Sequence, residues 1–144
     1  MNNKKLNIFL ADDDDDDRDF FKSALIKLNY DHELTMLNNG QKVKQYFTSL
    51  PVPPDYVFLD INMPMADGIE CLSYIKKLHP DHSFPIIMLS TANSESVISR
   101  CYKAGATMYV RKPNTFNALV NILRVCIHGE KSSPVSEEFV LHLK

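Results

Sequence analysis

The sequence predicts one α/β domain, in which helices cover both faces of a doubly wound parallel sheet. Five short apolar runs alternate along the 144 residues with five segments of helical periodicity. Three of these runs are almost continuously apolar, which is typical of strands that are buried on both faces. The connections between runs and helical segments are short, which favours right-handed crossovers between parallel strands.

Each predicted strand is a run of five or six residues bounded by turn-forming residues. The first, third and fourth runs are the most apolar, and the second and fifth are more mixed. In chain order the runs are LNIFLA (6–11), ELTML (33–37), YVFLD (56–60), PIIMLS (85–90) and TMYVR (107–111).

The predicted helices lie between and after these runs, where apolar residues recur every three or four positions. All four glycines fall at proposed element boundaries, and no proline falls inside a proposed helix. The five apolar sets are Phe20, Phe21, Ala24, Leu25 and Leu28; Val43, Tyr46, Phe47 and Leu50; Ile69, Leu72, Ile75 and Leu78; Val97, Ile98 and Cys101; and Phe116, Leu119, Val120, Leu123 and Ile127. We expect the domain to span residues 1–129, with 130–144 as a C-terminal tail that is too short to be an effector domain.

Composition excludes several classes of protein. The net charge is −2, and six of the 18 acidic residues form one run at 12–17, so nothing points strongly to nucleic acid. No stretch reaches the roughly 20 apolar residues of a membrane span, and the apolar stretch at the N-terminus is too short for a signal peptide. The three cysteines lack metal-ligand spacing and are interpreted as free thiols in a reducing compartment. A cytoplasmic protein without a membrane partner is expected.

Charged or hydroxyl side chains close or directly follow four of the five predicted strands. In a parallel sheet of order 2-1-3-4-5 the second strand lies at an edge, so its lack of a charged terminal group agrees with that order. Ligand sites of such sheets lie beyond the carboxyl ends of the strands, where the strand order reverses. The residues at these ends are Asp12 and Asp13, Asp60, Ser90 and Thr91, and Arg111 and Lys112.

Three carboxylates at one sheet edge cannot all ionise comfortably without a compensating cation. Because every ligand is an oxygen, a hard divalent ion such as Mg²⁺ is expected there. Lys112 adds a point charge that suits a phosphate, and no activated Ser, Cys or His accompanies it. The carboxylate of Asp60 could itself attack phosphorus and form an aspartyl phosphate.

These motifs resemble those of the response-regulator receiver domain of two-component signalling. The segments that carry the resemblance are FLADDD, DYVFLDINMPMADG, PIIMLSTA and GATMYVRKP, in the order and at the separations of that family. The resemblance covers about residues 5–128. It implies a five-stranded flavodoxin-like fold and a phosphorylation-controlled switch that uses Mg²⁺ or Mn²⁺.

The resemblance assigns a role to each metal and acceptor position. Asp60 matches the phosphoacceptor. Asp13 matches a direct metal ligand, and Asp12 matches the acidic residue that acts through water. Asn62 matches the position whose backbone carbonyl completes the metal shell. Asp14 matches a position that is often acidic in the family and is expected to contribute electrostatically to the site. Asp15 to Asp17 are expected to form the first turn of the first helix, mainly on a solvated face.

The remaining implied roles concern the switch. Thr91 matches the hydroxyl that binds the phosphoryl group, and Lys112 matches the lysine that pairs with it. Tyr109 falls at the aromatic switch position, although a half-buried strand tyrosine is common. The Lys112–Pro113 bond is expected to be cis, and Asn93 falls at a position thought to tune dephosphorylation.

The function that follows is a stand-alone receiver. A histidine kinase or a histidine phosphotransfer protein would donate a phosphoryl group to Asp60, and a downstream protein would recognise the altered surface of a monomer or weak dimer. Two alternatives belong to other classes. A phosphohydrolase would need a second aspartate two residues after the nucleophile, where Asn62 stands. A flavin binder would suffer repulsion between the flavin phosphate and the six aspartates.

Overall fold

The computed structural model describes residues 5–92, 94–128 and 139–141. The expectations for Asn93 and for most of the C-terminal tail lie outside these residues. Strands and helices alternate strictly through the first 128 residues. In chain order the elements are β1 (Leu6–Ala11), α1 (Asp15–Leu28), β2 (His32–Leu37), α2 (Gly40–Ser49), β3 (Tyr56–Asp60), α3 (Gly68–Leu78), β4 (Ile86–Ser90), α4 (Glu95–Lys103), β5 (Met108–Arg111), α5 (Phe116–His128) and β6 (Val140–Leu141).

All five predicted strands pair in parallel, and the predicted order 2-1-3-4-5 is confirmed. Each strand begins within one residue of its predicted start. The sheet also contains a strand that the sequence did not indicate, because β6 pairs in parallel with the outer edge of β5. Residues 139–141 of the expected tail are therefore part of the sheet.

The core forms two layers, one on each face of the sheet. On one face, α1 and α5 contribute residues such as Leu25 and Leu123. On the other face, α2, α3 and α4 contribute residues such as Phe47, Leu72 and Cys101. Successive strand residues alternate between the layers because side chains along a strand point to opposite faces. Both faces of the central strands are thereby buried, which explains their continuous apolar sequence.

Helix starts are defined by side-chain caps. Asp14, Asn39, Asp67 and Ser94 each accept a hydrogen bond from the backbone N–H three residues later, which satisfies a free donor of the first turn. Two of these caps, Asp14 and Asp67, lie in the loops that follow β1 and β3. The same loops carry Asp12, Asp13 and Asn62, so capping fixes the backbone close to the predicted site.

Three further expectations concern the Lys112–Pro113 peptide bond, the cysteines and membrane-spanning segments. Among the described residues there is no cis peptide bond, so the expectation of a cis Lys112–Pro113 bond was wrong. The trans isomer is the ordinary preference of an X–Pro bond, by about 0.5–1 kcal/mol. Cys71, Cys101 and Cys126 are free thiols, as interpreted from their spacing. No helix in the described part of the chain is long and apolar enough to cross a membrane.

Gly68 holds the start of α3 against the end of β3. A Cβ added there would lie 2.3 Å from the carbonyl oxygen of Asp60 and 2.8 Å from the Cα of Ile61. The Gly68 N–H also donates to the carbonyl of Ile61 at 2.7 Å. This contact needs glycine because no side chain fits between two backbone segments.

Gly68→Ala is expected to lower the free energy of unfolding by about 2 kcal/mol, as overpacking of a close backbone contact does. The loss should occur although alanine is the better helix former. Urea denaturation measures it, with Ser73→Ala as the control because Ser73 is exposed on the same helix. Equal stability of the two variants would contradict the close approach.

Candidate functional site

Three acidic side chains meet at the carboxyl ends of β1 and β3. Asp12 and Asp13 directly follow β1, and Asp60 is the last residue of β3. One carboxylate oxygen from each lies within 4.8 Å of the others. Asp12 and Asp60 are 2% and 3% exposed, whereas Asp13 is exposed. The proximity expected from the strand order is therefore found, with one open side at Asp13.

Lys112 places a positive charge among these carboxylates. It follows β5 directly, and its N–H donates to the carbonyl of Ser90 at the end of β4. The Lys112 Nζ lies 3.0 Å from Asp12 Oδ2 and 3.4 Å from Asp60 Oδ1. Carboxylates at the ends of β1 and β3 thus both contact the ammonium group, while the Lys112 backbone is held at the end of β4.

Asp17 is a partner of Lys112 that the sequence did not indicate. Its Oδ2 lies 2.9 Å from the Lys112 Nζ, so the ammonium is shared by three carboxylates. The sequence predicts Asp15 to Asp17 mainly on a solvated helix face, and Asp17 departs from this prediction. The start of α1 at Asp15 brings Asp17 round to the site, whereas Asp15 pairs with Arg18. A helical-wheel projection of a helix with Asp14 as its N-cap could have distinguished the position of Asp17 from those of the other aspartates in the run.

Burial dominates the electrostatics of the carboxylates. It raises the pKa of Asp60 to about 7, opposed by the charge of Lys112 and reinforced by that of Asp12. Burial also raises the pKa of Asp12, against the hydrogen bond from the Asp14 N–H and the charge of Lys112. For Lys112, burial would lower the pKa, but the hydrogen bond to Asp17 and the charges of Asp60 and Asp12 raise it.

The donor set fits a hard divalent cation. The three grouped ligands are all carboxylate oxygens, which Mg²⁺ and Mn²⁺ accept. A divalent charge would also stabilise the ionised form of two buried acids whose pKa is raised by burial. Asn62 is exposed in the loop after β3, and its N–H donates to Asp60 Oδ1 at 3.4 Å. The role expected for its carbonyl stays a prediction.

The two switch candidates are placed differently. Thr91 is exposed directly after β4, and in the described ranges no hydrogen bond joins its hydroxyl to the three carboxylates or to Lys112. Tyr109 is fully buried rather than half-buried, and its hydroxyl donates to the carbonyl of Ala92 at 2.8 Å. Because Ala92 follows Thr91, the Tyr109 hydroxyl reaches the same loop.

The acidic site makes the metal-free protein sensitive to pH. The pKa of Asp60 is about 7 in the folded state and near its ordinary 3.8 when unfolded, so the native state retains a proton that the unfolded chain loses. The free energy of unfolding in EDTA is therefore expected to fall as pH rises from 4 to 7, by up to about 4 kcal/mol from this group. Saturating Mg²⁺ should restore stability at pH 8.

Urea denaturation at several pH values, with EDTA or Mg²⁺, measures this effect. Asp60→Asn is the comparison that separates it from histidine titration, since the variant should lose most of the pH slope. Its metal-free form should also be more stable than the wild type at pH 8, because one buried charge is gone. An unchanged slope in Asp60→Asn would contradict the assignment.

Fold and site together define a class: a parallel α/β protein with an acidic, cation-compatible site where the order of the strands reverses. Comparison with known proteins narrows this class. The family model of the response regulator receiver domain matches residues 8–124. The chain therefore belongs to the response regulator receiver domain family, as its motifs indicated.

Individual relatives agree with this assignment. Response regulator RR06 from Streptococcus pneumoniae serotype 2 is 30% identical over 122 residues, which cover 85% of this chain and 53% of that protein. The chain thus spans about half the length of this curated relative. Among solved structures, the phosphorylated cyanobacterial phytochrome response regulator RcpA is 25% identical, with a TM-score of 0.80 over 92% of this chain and 100% of that one. A chain of the CheX–CheY–BeF3–Mg complex from Borrelia burgdorferi is also 25% identical, with a TM-score of 0.69 over 85% and 89%.

Proposed function

We propose that this receiver domain accepts a phosphoryl group on Asp60 from a histidine kinase or a histidine phosphotransfer protein. The observation that carries the proposal is the convergence of Asp12, Asp13 and Lys112 on the Asp60 carboxylate at the end of a buried strand. Such a site combines an oxygen nucleophile, ligands for a divalent cation and a cation that can pair with a phosphoryl oxygen. The receivers RcpA and CheY, described in phosphorylated and BeF3-bound forms, support the proposal.

In the proposed transfer, an ionised oxygen of Asp60 attacks the phosphorus of the donor. The O–P bond to Asp60 forms as the P–N bond of a phosphohistidine breaks, and the imidazole leaves with the electron pair. Lys112 lies 3.4 Å from Asp60 Oδ1 and would pair with an oxygen of the transferred group. Asp60, Asp13, the carbonyl of Asn62 and, through water, Asp12 would hold Mg²⁺ or Mn²⁺, which when bound supplies positive charge to the phosphoryl oxygens.

The residues of this site argue against hydrolysis of external phosphoester substrates. A phosphohydrolase that works through an aspartyl phosphate needs a proton donor and acceptor beside the nucleophile. The residue two positions after Asp60 is Asn62, whose neutral amide cannot act as a general acid or base. We therefore propose a phosphoacceptor switch that catalyses only its own phosphorylation and dephosphorylation.

We propose that the output arises from Thr91, Tyr109 and Lys112. The phosphoryl group would attract the Thr91 hydroxyl and the Lys112 ammonium, and the movement of Thr91 would favour the inward position of Tyr109. The hydrogen bond from Tyr109 to the Ala92 carbonyl supports this link, because it joins the strand to the loop that carries Thr91. The result is a population shift between two states of the α4–β5 surface.

The proposed partners are one protein that donates the phosphoryl group and another that recognises the phosphorylated receiver. A histidine kinase or phosphotransfer protein would supply the phosphoryl group, and a downstream protein would recognise the α4–β5 surface, in a cytoplasmic monomer or weak dimer. We propose residues 1–129 as the receiver unit and 130–144 as a tail that is not an effector domain and whose residues 139–141 extend the receiver's sheet. No nucleic acid or membrane is proposed as a partner. The complex of CheX with CheY, which contains a similar chain in an assembly with another protein, supports a protein partner.

A direct test is phosphorylation of the purified chain with a small phosphodonor such as acetyl phosphate. Intact mass spectrometry should show one added phosphoryl group when Mg²⁺ is present and none in EDTA. The adduct should be removed by hydroxylamine, because an acyl phosphate reacts with it and a phosphoserine or phosphothreonine does not. An adduct that forms in EDTA or resists hydroxylamine would contradict the proposal.

A further inference from the structure

The outer edge of β5 binds an extended segment of the same chain. Tyr109 pairs with Val140 and Val110 pairs with Leu141, in parallel register. The Tyr109 N–H donates to the carbonyl of Phe139 at 2.9 Å. An unpaired strand edge offers such donors to any extended peptide, so β6 occupies what would otherwise be a strand-addition site.

Side-chain packing accompanies this pairing. Phe139 is only 6% exposed and belongs to the same buried cluster as Tyr109 and Cys101. Its ring meets the ring of Tyr102 on α4 edge to face, with the centroids 5.2 Å apart. Tyr102 itself is 51% exposed, so Phe139 fills the corner between α4 and the edge of β5. The segment 139–141 therefore docks through both its backbone and an aromatic anchor.

Tyr109 connects this docked segment to the acidic end of the sheet. Its N–H binds Phe139, whereas its hydroxyl binds the carbonyl of Ala92, next to Thr91. On its other side β5 is paired with β4, so an outward turn of the Tyr109 ring would be directed toward the edge that β6 covers. An outward Tyr109 ring and a docked Phe139 would compete for the same corner.

We propose that the edge of β5 and the facing surface of α4 form a binding site for the chain's own residues 139–141, and that docking there is coupled to phosphorylation through Tyr109. The proposal rests on the proposed function, since it takes the inward position of Tyr109 as the one that the phosphoryl group favours. Coupling is reciprocal, so docking strengthens binding at Asp60 and binding at Asp60 strengthens docking. A protein that adds a strand to β5 must first displace this segment.

The test uses the full chain and beryllium fluoride with Mg²⁺ as the probe of the Asp60 site. Phe139→Ser should weaken binding of the probe by about fivefold or more in calorimetric titration. Phe84→Ser is the matched control, because Phe84 is 8% exposed in the same cluster but precedes β4 at the opposite end of the sheet. It should reduce stability and leave the affinity for the probe unchanged.

Hydrogen exchange of the wild-type chain gives a second measurement. It does not require the Phe139→Ser variant to fold. The Tyr109 amide donates to Phe139, and its hydrogen exchange should slow by about fivefold or more when the probe binds, which is the factor expected for the probe affinity. The coupling would be overturned if exchange of the Tyr109 amide were unchanged in the wild type saturated with the probe. It would also be overturned if a folded Phe139→Ser variant bound the probe with wild-type affinity. Neither result would contradict the proposed function. Failure of the wild type to bind the probe would overturn the proposed function as well.

Discussion

Asp60→Asn is expected to reduce incorporation of a phosphoryl group from a small phosphodonor to background, a loss of at least about 100-fold. An amide oxygen is a poor nucleophile toward phosphorus, and the substitution also removes one of the three grouped cation ligands. Asparagine has nearly the same shape, so the fold should persist. Intact mass spectrometry after timed incubation with acetyl phosphate and Mg²⁺ measures the loss.

Asp81→Asn is the matched control for this experiment. Asp81 is exposed in the loop before β4, where it cannot contact the acidic site at the carboxyl ends of the strands. Its substitution should leave phosphorylation at the wild-type rate. If Asp60→Asn incorporated a hydroxylamine-sensitive phosphoryl group at a similar rate, the acceptor would be another carboxylate and the proposed mechanism would be wrong.

Lys112→Met is expected to lower the free energy of unfolding of the metal-free protein by about 3 kcal/mol at pH 8. Three carboxylates, Asp12, Asp17 and Asp60, lose a shared cation whose side chain is only 17% exposed. Removing one partner of a buried ion pair leaves uncompensated charge in a poorly solvated place. Phosphorylation should also slow by about 100-fold, because one cation that pairs with the transferred group is lost. Urea denaturation and timed labelling measure the two effects.

The pH dependence of the destabilisation by Lys112→Met distinguishes two causes: loss of the ammonium charge and loss of side-chain packing. Without Lys112 the pKa of Asp60 should rise further, since the ammonium charge opposes the effect of burial. Asp60 would be protonated at pH 5, so the destabilisation of the variant should be smaller there and grow as pH rises through 7. Lys77→Met, at an exposed position on α3, should show neither effect. A loss of stability that is equal at pH 5 and pH 8 would assign the role of Lys112 to packing.

Much of the fold was predictable because parallel strands that are buried on both faces leave a local signal. The runs at 56–60 and 85–90 are nearly all apolar, and the structure places them in the centre of the sheet. Strand ends were informative for a related reason. Once the strands are parallel in one sheet, residues far apart in sequence that follow them, such as Asp12 and Lys112, lie at the same edge of the sheet.

Other features depended on contacts that no local pattern specifies. Six identical aspartates give no indication that Asp17 pairs with Lys112, because the register of α1 selects it. The full burial of Tyr109 depends on its place between the α4 layer and the edge that β6 covers. The two-residue β6 is too short to carry a periodic signal, and its partner lies about 30 residues earlier in the chain.

Local patterns along the chain were therefore sufficient for the parallel sheet and for placing Asp12, Asp13, Asp60 and Lys112 at strand ends, and the family resemblance supplied the flavodoxin-like strand order that brings these residues together. They were sufficient because hydrophobic periodicity and the chirality of crossovers leave few alternative topologies. Packing in three dimensions settled which aspartate of the run reaches Lys112, and that Phe139 covers the strand edge beside Tyr109. These outcomes depend on helix register and on the pairing of distant segments, whose free energy exists only once the sheet has formed.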